Sequence, residues 1–185
     1  MQFLEKELET IIYDSFCDHD VYEKLQKKGL VIPLPYLFKR QLTIGNYGTS
    51  DLVTLERPTM VPVSIERFVF EPTVIRVWEL KQNTINMESL LQVTRYMTGI
   101  KSWLTRAKIQ GRKKYYYPSN IRIEGVLIGR TIDTHSDYLY LFNHFRSDDF
   151  EIFGDVRVFT YSYDYDGLSF NEENMSDYRL SKEGF

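Results

Sequence analysis

Hydrophobic and polar positions along the chain fall into segments of different period. At the start, Phe3, Leu4, Leu8, Ile11 and Ile12 recur at the spacing of one helical face, with Glu5 and Glu9 one turn apart on its flank. An amphipathic helix is predicted there. A second, shorter helix is predicted over Val21 to Lys28, stopped by Gly29. The stretch VIPLPYLF carries two prolines and reads as extended; Gly45, Asn46 and Gly48 then mark turns before a strand that starts near Thr49. Two further strands are predicted, Val63 to Phe70 and Thr73 to Lys81, rich in Val, Ile and Phe and separated by Glu71-Pro72. In the second of these, period-two alternation gives Ile75, Val77, Glu79 and Lys81 one face and Val74, Arg76, Trp78 and Leu80 the other. Glu79 and Lys81 therefore point the same way.

Beyond it, Asn86 is the predicted N-cap of a helix whose buried stripe is Met87, Leu90, Val93, Met97, Ile100 and Leu104. Gln92 and Tyr96 lie one turn apart on a neighbouring face. After Tyr115, Tyr116, Tyr117 and Pro118, the run IRIEGVLIG reads as a buried strand; Ser136 to Phe145 fits either helix or strand, and VRVFTYSYDYD alternates as a last strand. The order implies an α/β sandwich, a central mixed sheet flanked by helices. A chain of 185 residues suits one such domain, over residues 1–170, with 171–185 as a polar tail.

Composition narrows the class. With 43% hydrophobic and 26% charged residues, a packed core is expected. The lone Cys17 permits neither an intramolecular disulfide nor a cysteine zinc site, which fits a reducing compartment, and His19, His135 and His144 are scattered without HxxxH spacing. The N-terminus lacks the basic and apolar regions of a secretory signal, and no apolar run approaches the roughly 20 residues of a membrane span. A cytoplasmic protein with no membrane partner is expected. The net charge of −3 hides an asymmetry: no acidic residue occurs from Ser89 to Ile123, where Arg95, Lys101, Arg106, Lys108, Arg112, Lys113 and Lys114 cluster. These seven are the candidate nucleic-acid-binding residues, with Trp103 and Tyr115 to Tyr117 as stacking aromatics. The alternative is a solvated loop that balances the acidic C-terminal third.

Metal-assisted phosphodiester hydrolysis needs oxygen ligands converging on a hard cation and a group that orients the attacking water. Asp51 opens one strand, and Glu79 and Lys81 close another on a common face. If the two strands are neighbours, Asp51 and Glu79 hold Mg²⁺ or Mn²⁺, the Leu80 carbonyl adds a ligand, and Lys81 positions the nucleophile. Gln92 would flank the cluster, and either Glu5 or Glu9 would approach from the first helix. Each piece has a plainer reading, a solvated Glu-Leu-Lys strand end and turn chemistry at Ser50-Asp51; only their joint occurrence favours chemistry.

The segments EKELETII, GTSDLVTL, VIRVWELK and QVTRYM resemble, in order, the motifs of the restriction-endonuclease-like PD-(D/E)XK nuclease superfamily. They are most similar to nuclease domains of the NucS (EndoMS) type, and IRIEGVLIGRTID is similar to the strand that follows; the likeness spans roughly residues 3–165. The resemblance implies metal ligation by Asp51 and Glu79, a catalytic Lys81, an active-site Gln92, and Glu5 as the helix-one acid with Glu9 as fallback. Tyr96 matches the helix motif and reads equally well as a packing residue. Two departures stand out. The segment between Asp51 and Glu79, with Pro58, Pro62 and Pro72, is long, and its tip is a candidate substrate or partner contact. The N-terminal domain of the NucS type is not expected, so mismatch specificity and mode of dimerisation do not carry over. The expected function is a metal-dependent endonuclease acting on nucleic acid, DNA in the first place, with a homodimer or larger assembly left open. A catalytically silent binding or assembly module on the same fold, or a structural protein of a mobile element, is the competing reading.

Overall fold

The computed structural model describes residues 4–57, 60–64, 67–70, 73–109, 121–133 and 153–173, with backbone alone for 60–64, 67–70, 107–109 and 153–154. The first helix, α1 (Glu5–Ser15), starts with the Glu7 carboxylate accepting the Leu4 N–H at 2.8 Å. The second, α2 (His19–Lys27), starts on Asp18, whose Oδ1 accepts the amides of Asp20 and Val21. Both present one apolar face. Leu8, Ile12, Phe16, Tyr22 and Leu25 pack with Trp78, Leu80, Val126, Ile128, Phe159, Tyr161 and Phe170 from one side of the sheet. The third helix, α3 (Met87–Ile109), covers the other side. Leu90, Val93, Met97 and Ile100 meet Val77, Ile123, Leu127, Val156 and Val158 there. As predicted, Asn86 caps α3, its Oδ1 accepting the Ser89 N–H at 3.1 Å.

The sheet between these layers is mixed and six-stranded. Its strands are β1 (Leu37–Thr43), β2 (Thr49–Leu55), β5 (Thr73–Leu80), β7 (Ile121–Gly129), β9 (Phe153–Asp164) and β10 (Gly167–Glu172), in that spatial order. The pairs β5–β7 and β7–β9 are parallel; β1–β2, β2–β5 and β9–β10 are antiparallel. Central strands are covered on both faces, so β7 buries all but its first two residues. A two-stranded parallel pair joins β6 (Thr84–Ile85), just before α3, to β8 (Thr131–Ile132), just after β7. The α/β class and the mixed sheet agree with the sequence reading.

Several elements differ from it. The predicted strand Val63 to Phe70 is a hairpin, β3 (Met60–Ser64) antiparallel to β4 (Arg67–Phe70), with a register shift between Pro62 and Ser64. No Gly, Pro or Asn marks the reversal between Ser64 and Arg67, so the sequence carries no turn signal there. This hairpin leaves from the Leu55 end of β2 and the Thr73 end of β5, the end opposite Asp51 and Glu79. By sequence β1 reads only as extended chain, and none of its residues is buried. Asn171 and Glu172, assigned by sequence to the tail, pair with Thr160 and Phe159 in β10. Ser136 to Phe145, Tyr115 to Tyr117, Pro58, Pro72 and the tail from residue 174 lie outside the described residues.

Candidate active site

Because β2 and β5 run antiparallel, with Leu52 opposite Trp78, the head of β2 lies beside the tail of β5. That places Asp51 next to the Glu79-Leu80-Lys81 segment. Ser50, fully buried, fixes the junction, its hydroxyl 2.8 Å from the Leu52 carbonyl and 3.0 Å from the Trp78 carbonyl. Asp51 Oδ2 then accepts the Leu80 N–H at 2.8 Å. In an extended strand, a residue's N–H and C=O point to the same side, so the Leu80 carbonyl also faces β2. On β5, Glu79 is 2% exposed and its Oε1 accepts from Lys81 Nζ at 2.6 Å. Lys81 Nζ also donates to Gln92 Oε1 at 3.2 Å, and Gln92 Nε2 donates to the Tyr96 hydroxyl at 3.1 Å. One hydrogen-bonded chain thus runs from the sheet to α3. The structure brings together Asp51, Glu79, Lys81 and Gln92, with Tyr96 at the end of the chain.

The two helix-one acids divide. Glu9 is 5% exposed and fully engaged, accepting from Arg40 Nε at 2.8 Å and Gln41 Nε2 at 2.5 Å. Glu5, in the first turn of α1, has no hydrogen-bond or ion-pair partner among the described residues, yet its charge acts on Asp51, Glu79 and Lys81. Glu5 is therefore the open carboxylate. Sequence reasoning does not single out Gln41. It sits mid-β1 with φ +50, and its amide lies 3.4 Å from Asp51 Oδ1 while it holds Glu9. Nothing in the sequence signals this, because the contact depends on the register of β1 against β2. Gly48 has a clearer role. With φ +110, it takes a conformation side chains disfavour, and a Cβ there would stand 2.9 Å from Tyr96 Cε1. The turn before β2 closes directly over Tyr96.

Burial dominates the electrostatics. It lifts the Glu79 carboxyl to about 7, with repulsion from Asp51 adding and Lys81 opposing. It lifts Asp51 to about 6, partly offset by the Leu80 amide and increased by Glu5 and Glu9. Burial alone would depress Lys81, but its hydrogen bond to Glu79 and the surrounding carboxylates hold it above the ordinary lysine value. Lys81 therefore stays an ammonium at neutral pH. Glu79 Oε2 is buried with no hydrogen-bond partner, an unusual condition for a carboxylate oxygen. Hard oxygen donors from Asp51, Glu79 and the Leu80 carbonyl, one of them unpaired, fit Mg²⁺ or Mn²⁺ and not a thiolate- or imidazole-seeking metal. Among the described residues, the only three acid or His side chains with ligand atoms all within 4.8 Å are His19, Asp20 and Glu23, exposed on α2. Glu5, Asp51 and Glu79 do not have ligand atoms all within that distance of one another.

Of the basic residues, Arg95 and Arg106 are exposed and lie about 20° apart in angle around α3. Lys101 falls on the opposite flank of the helix. The side chain of Lys108, and Arg112, Lys113 and Lys114, lie outside the described residues. No described helix is long and apolar enough to cross a membrane. No known protein-family model matches the chain, and no curated protein matches it in sequence.

Proposed function

We propose that this chain is a metal-dependent endonuclease of the restriction-endonuclease-like, PD-(D/E)XK kind, hydrolysing phosphodiester bonds in nucleic acid with Mg²⁺ or Mn²⁺. DNA is the first substrate to test. The supporting observation is the meeting of Asp51, Glu79, Lys81 and Gln92 at adjoining strand ends, with Glu79 Oε2 buried and unpaired. Most buried side-chain polar atoms have a hydrogen-bond partner, and one that lacks it is a place where an ion can bind.

Asp51 and Glu79 would hold the cation, with the Leu80 carbonyl as a further ligand. Once bound, the metal supplies Lewis acidity at the phosphate and activates water. Lys81, held as an ammonium between Glu79 and Gln92, orients the attacking water and offsets charge growing on the phosphate; it does not itself remove a proton. Gln92 fixes the Lys81 ammonium, and Tyr96 fixes Gln92. Glu9, tied to Arg40 and Gln41, adds negative charge that acts on Asp51. Arg95 and Arg106 flank the exposed side of α3 and contribute phosphate contacts.

The test is a paired cleavage and binding assay on plasmid and single-stranded DNA, with Mg²⁺, Mn²⁺ or EDTA. Wild type is expected to cut only with metal. Asp51→Asn, which removes one charge at nearly constant shape, is expected to bind but not cut. Cleavage that survives EDTA, or a fully active Asp51→Asn, overturns the reading.

A further inference from the structure

Downstream of the site, α3 carries Gln92, Tyr96, Gly99, Trp103 and Arg106 at successive steps of four, three, four and three residues. At 100° per residue these five fall within an arc of about 80°, one continuous stripe. Its first two members belong to the catalytic chain of hydrogen bonds. The last three line a cleft of about 570 Å³ between α3 and the turn that joins β1 to β2. Gly99 lets the β1–β2 turn seat tightly on α3 at the base of this cleft, for a Cβ there would stand 2.6 Å from Ile44 Cγ2 and 2.8 Å from Tyr47 Cγ. Trp103 stands 53% exposed in its wall, an uncommon position for an indole, and Arg106 is exposed beside it. Asn46 and the backbone of Gly45 supply polar groups at the opposite lip.

We infer that this cleft receives an unpaired nucleobase next to the scissile phosphate, stacked on Trp103 with Arg106 on the adjoining backbone phosphate. The inference rests on the nuclease reading and narrows its substrate to single-stranded or locally opened nucleic acid. Three observations favour a base over an apolar peptide. Both walls of the cleft come from long stretches without an acidic residue, Lys24 to Ser50 and Ser89 to Ile123. It pairs an exposed indole with a guanidinium, the combination that holds stacked bases. It continues the catalytic stripe, Trp103 lying seven residues, about 10 Å, along the helix from Tyr96. A paired base inside a duplex offers no face to an indole in a recess; an unpaired one does.

The two tryptophans make the cleft observable, since Trp78 is wholly buried and Trp103 is the exposed one. In EDTA, where nothing is cut, a single-stranded 12-mer is expected to quench the exposed emission more strongly than the matching duplex. Trp103→Ala is expected to weaken single-strand binding by anisotropy about 5- to 150-fold, the range for one stacked base. Trp103→Phe, which keeps a stacking face, is expected to remain close to wild type, and melting curves check that both variants fold. Equal losses for duplex and single strand, or single-strand binding that neither quenches Trp103 nor responds to Trp103→Ala, overturn the inference. Metal-dependent cleavage is scored separately on the same preparations. Cleavage without a Trp103 effect removes the cleft and leaves the nuclease, whereas a Trp103 effect without cleavage removes the nuclease and leaves a base-binding cleft.

Discussion

Lys81 is held from two sides, by Glu79 at 2.6 Å and Gln92 at 3.2 Å, yet its side chain keeps 23% of its surface exposed. It can therefore be removed without opening the core. Lys81→Ala is expected to melt near wild type and to cut more slowly by about 10²-fold or more, the range for a positioned catalytic group. Single-turnover cleavage at saturating metal measures this, and near-normal turnover would exclude Lys81 from the reaction. Asp51 poses the opposite case, a group whose charge opposes folding when no cation is bound. Its carboxyl is lifted from 3.8 to about 6, chiefly by burial. A tenfold change in proton affinity corresponds to about 1.4 kcal/mol, so in EDTA at pH 8 Asp51→Asn is expected to be more stable than wild type by roughly 1–3 kcal/mol. Urea melts decide it, and a less stable variant would mean that the bond from the Leu80 amide outweighs the buried charge.

At the scale of elements, legibility follows burial. The helices α1, α2 and α3 and the strands β2 and β9 are readable because each buries residues at the period of its backbone, and β5 and β7 because each is a continuous apolar run buried on both faces. The strand β1 buries none, and β10 buries only Phe170, so neither leaves an apolar period to find. The site is legible in the same proportion. Asp51, Glu79 and Lys81 sit at strand ends and Gln92 in the second turn of α3, places that local pattern locates, whereas Gln41 and the seat of Tyr96 under Gly48 depend on register between segments distant in sequence. The start of α3 offers a test of how far element and site are separable. Asn86→Ala removes the acceptor for the Ser89 N–H and is expected to cost about 1 kcal/mol. For a domain of this size, that is a fall in Tm of about 2–4 °C. Cleavage at 25 °C should persist, because Gln92 lies more than a turn inside the helix; loss of activity in step with Tm would show that the cap also sets the pose of Gln92.

At the scale of the molecule, the raised carboxyls link stability to pH and, under the proposed function, to metal. Folded values of about 6 for Asp51 and about 7 for Glu79 exceed their ordinary values of 3.8 and 4.5. Protons therefore bind the folded state more tightly, and the pair's contribution is fully present below pH 4 and is lost as pH rises to about 7. In EDTA, this pair should lower Tm across that window; with millimolar Mg²⁺ the decline should flatten, because the cation replaces the protons. Superimposable Tm profiles with and without Mg²⁺ would argue against a cation between these carboxylates. The kink at Gln41 bears on how copies of the chain meet. As one outer strand of the six-stranded sheet, β1 has a rim that could template strand addition by a second molecule. Left-handed backbone at its midpoint, where Gln41 and Asp51 drop out of the ladder, breaks that rim into two short pieces. A β-branched residue resists positive φ and pulls the strand flat. Gln41→Val is therefore expected to join the pieces into one continuous edge and to scatter more light than wild type as concentration rises.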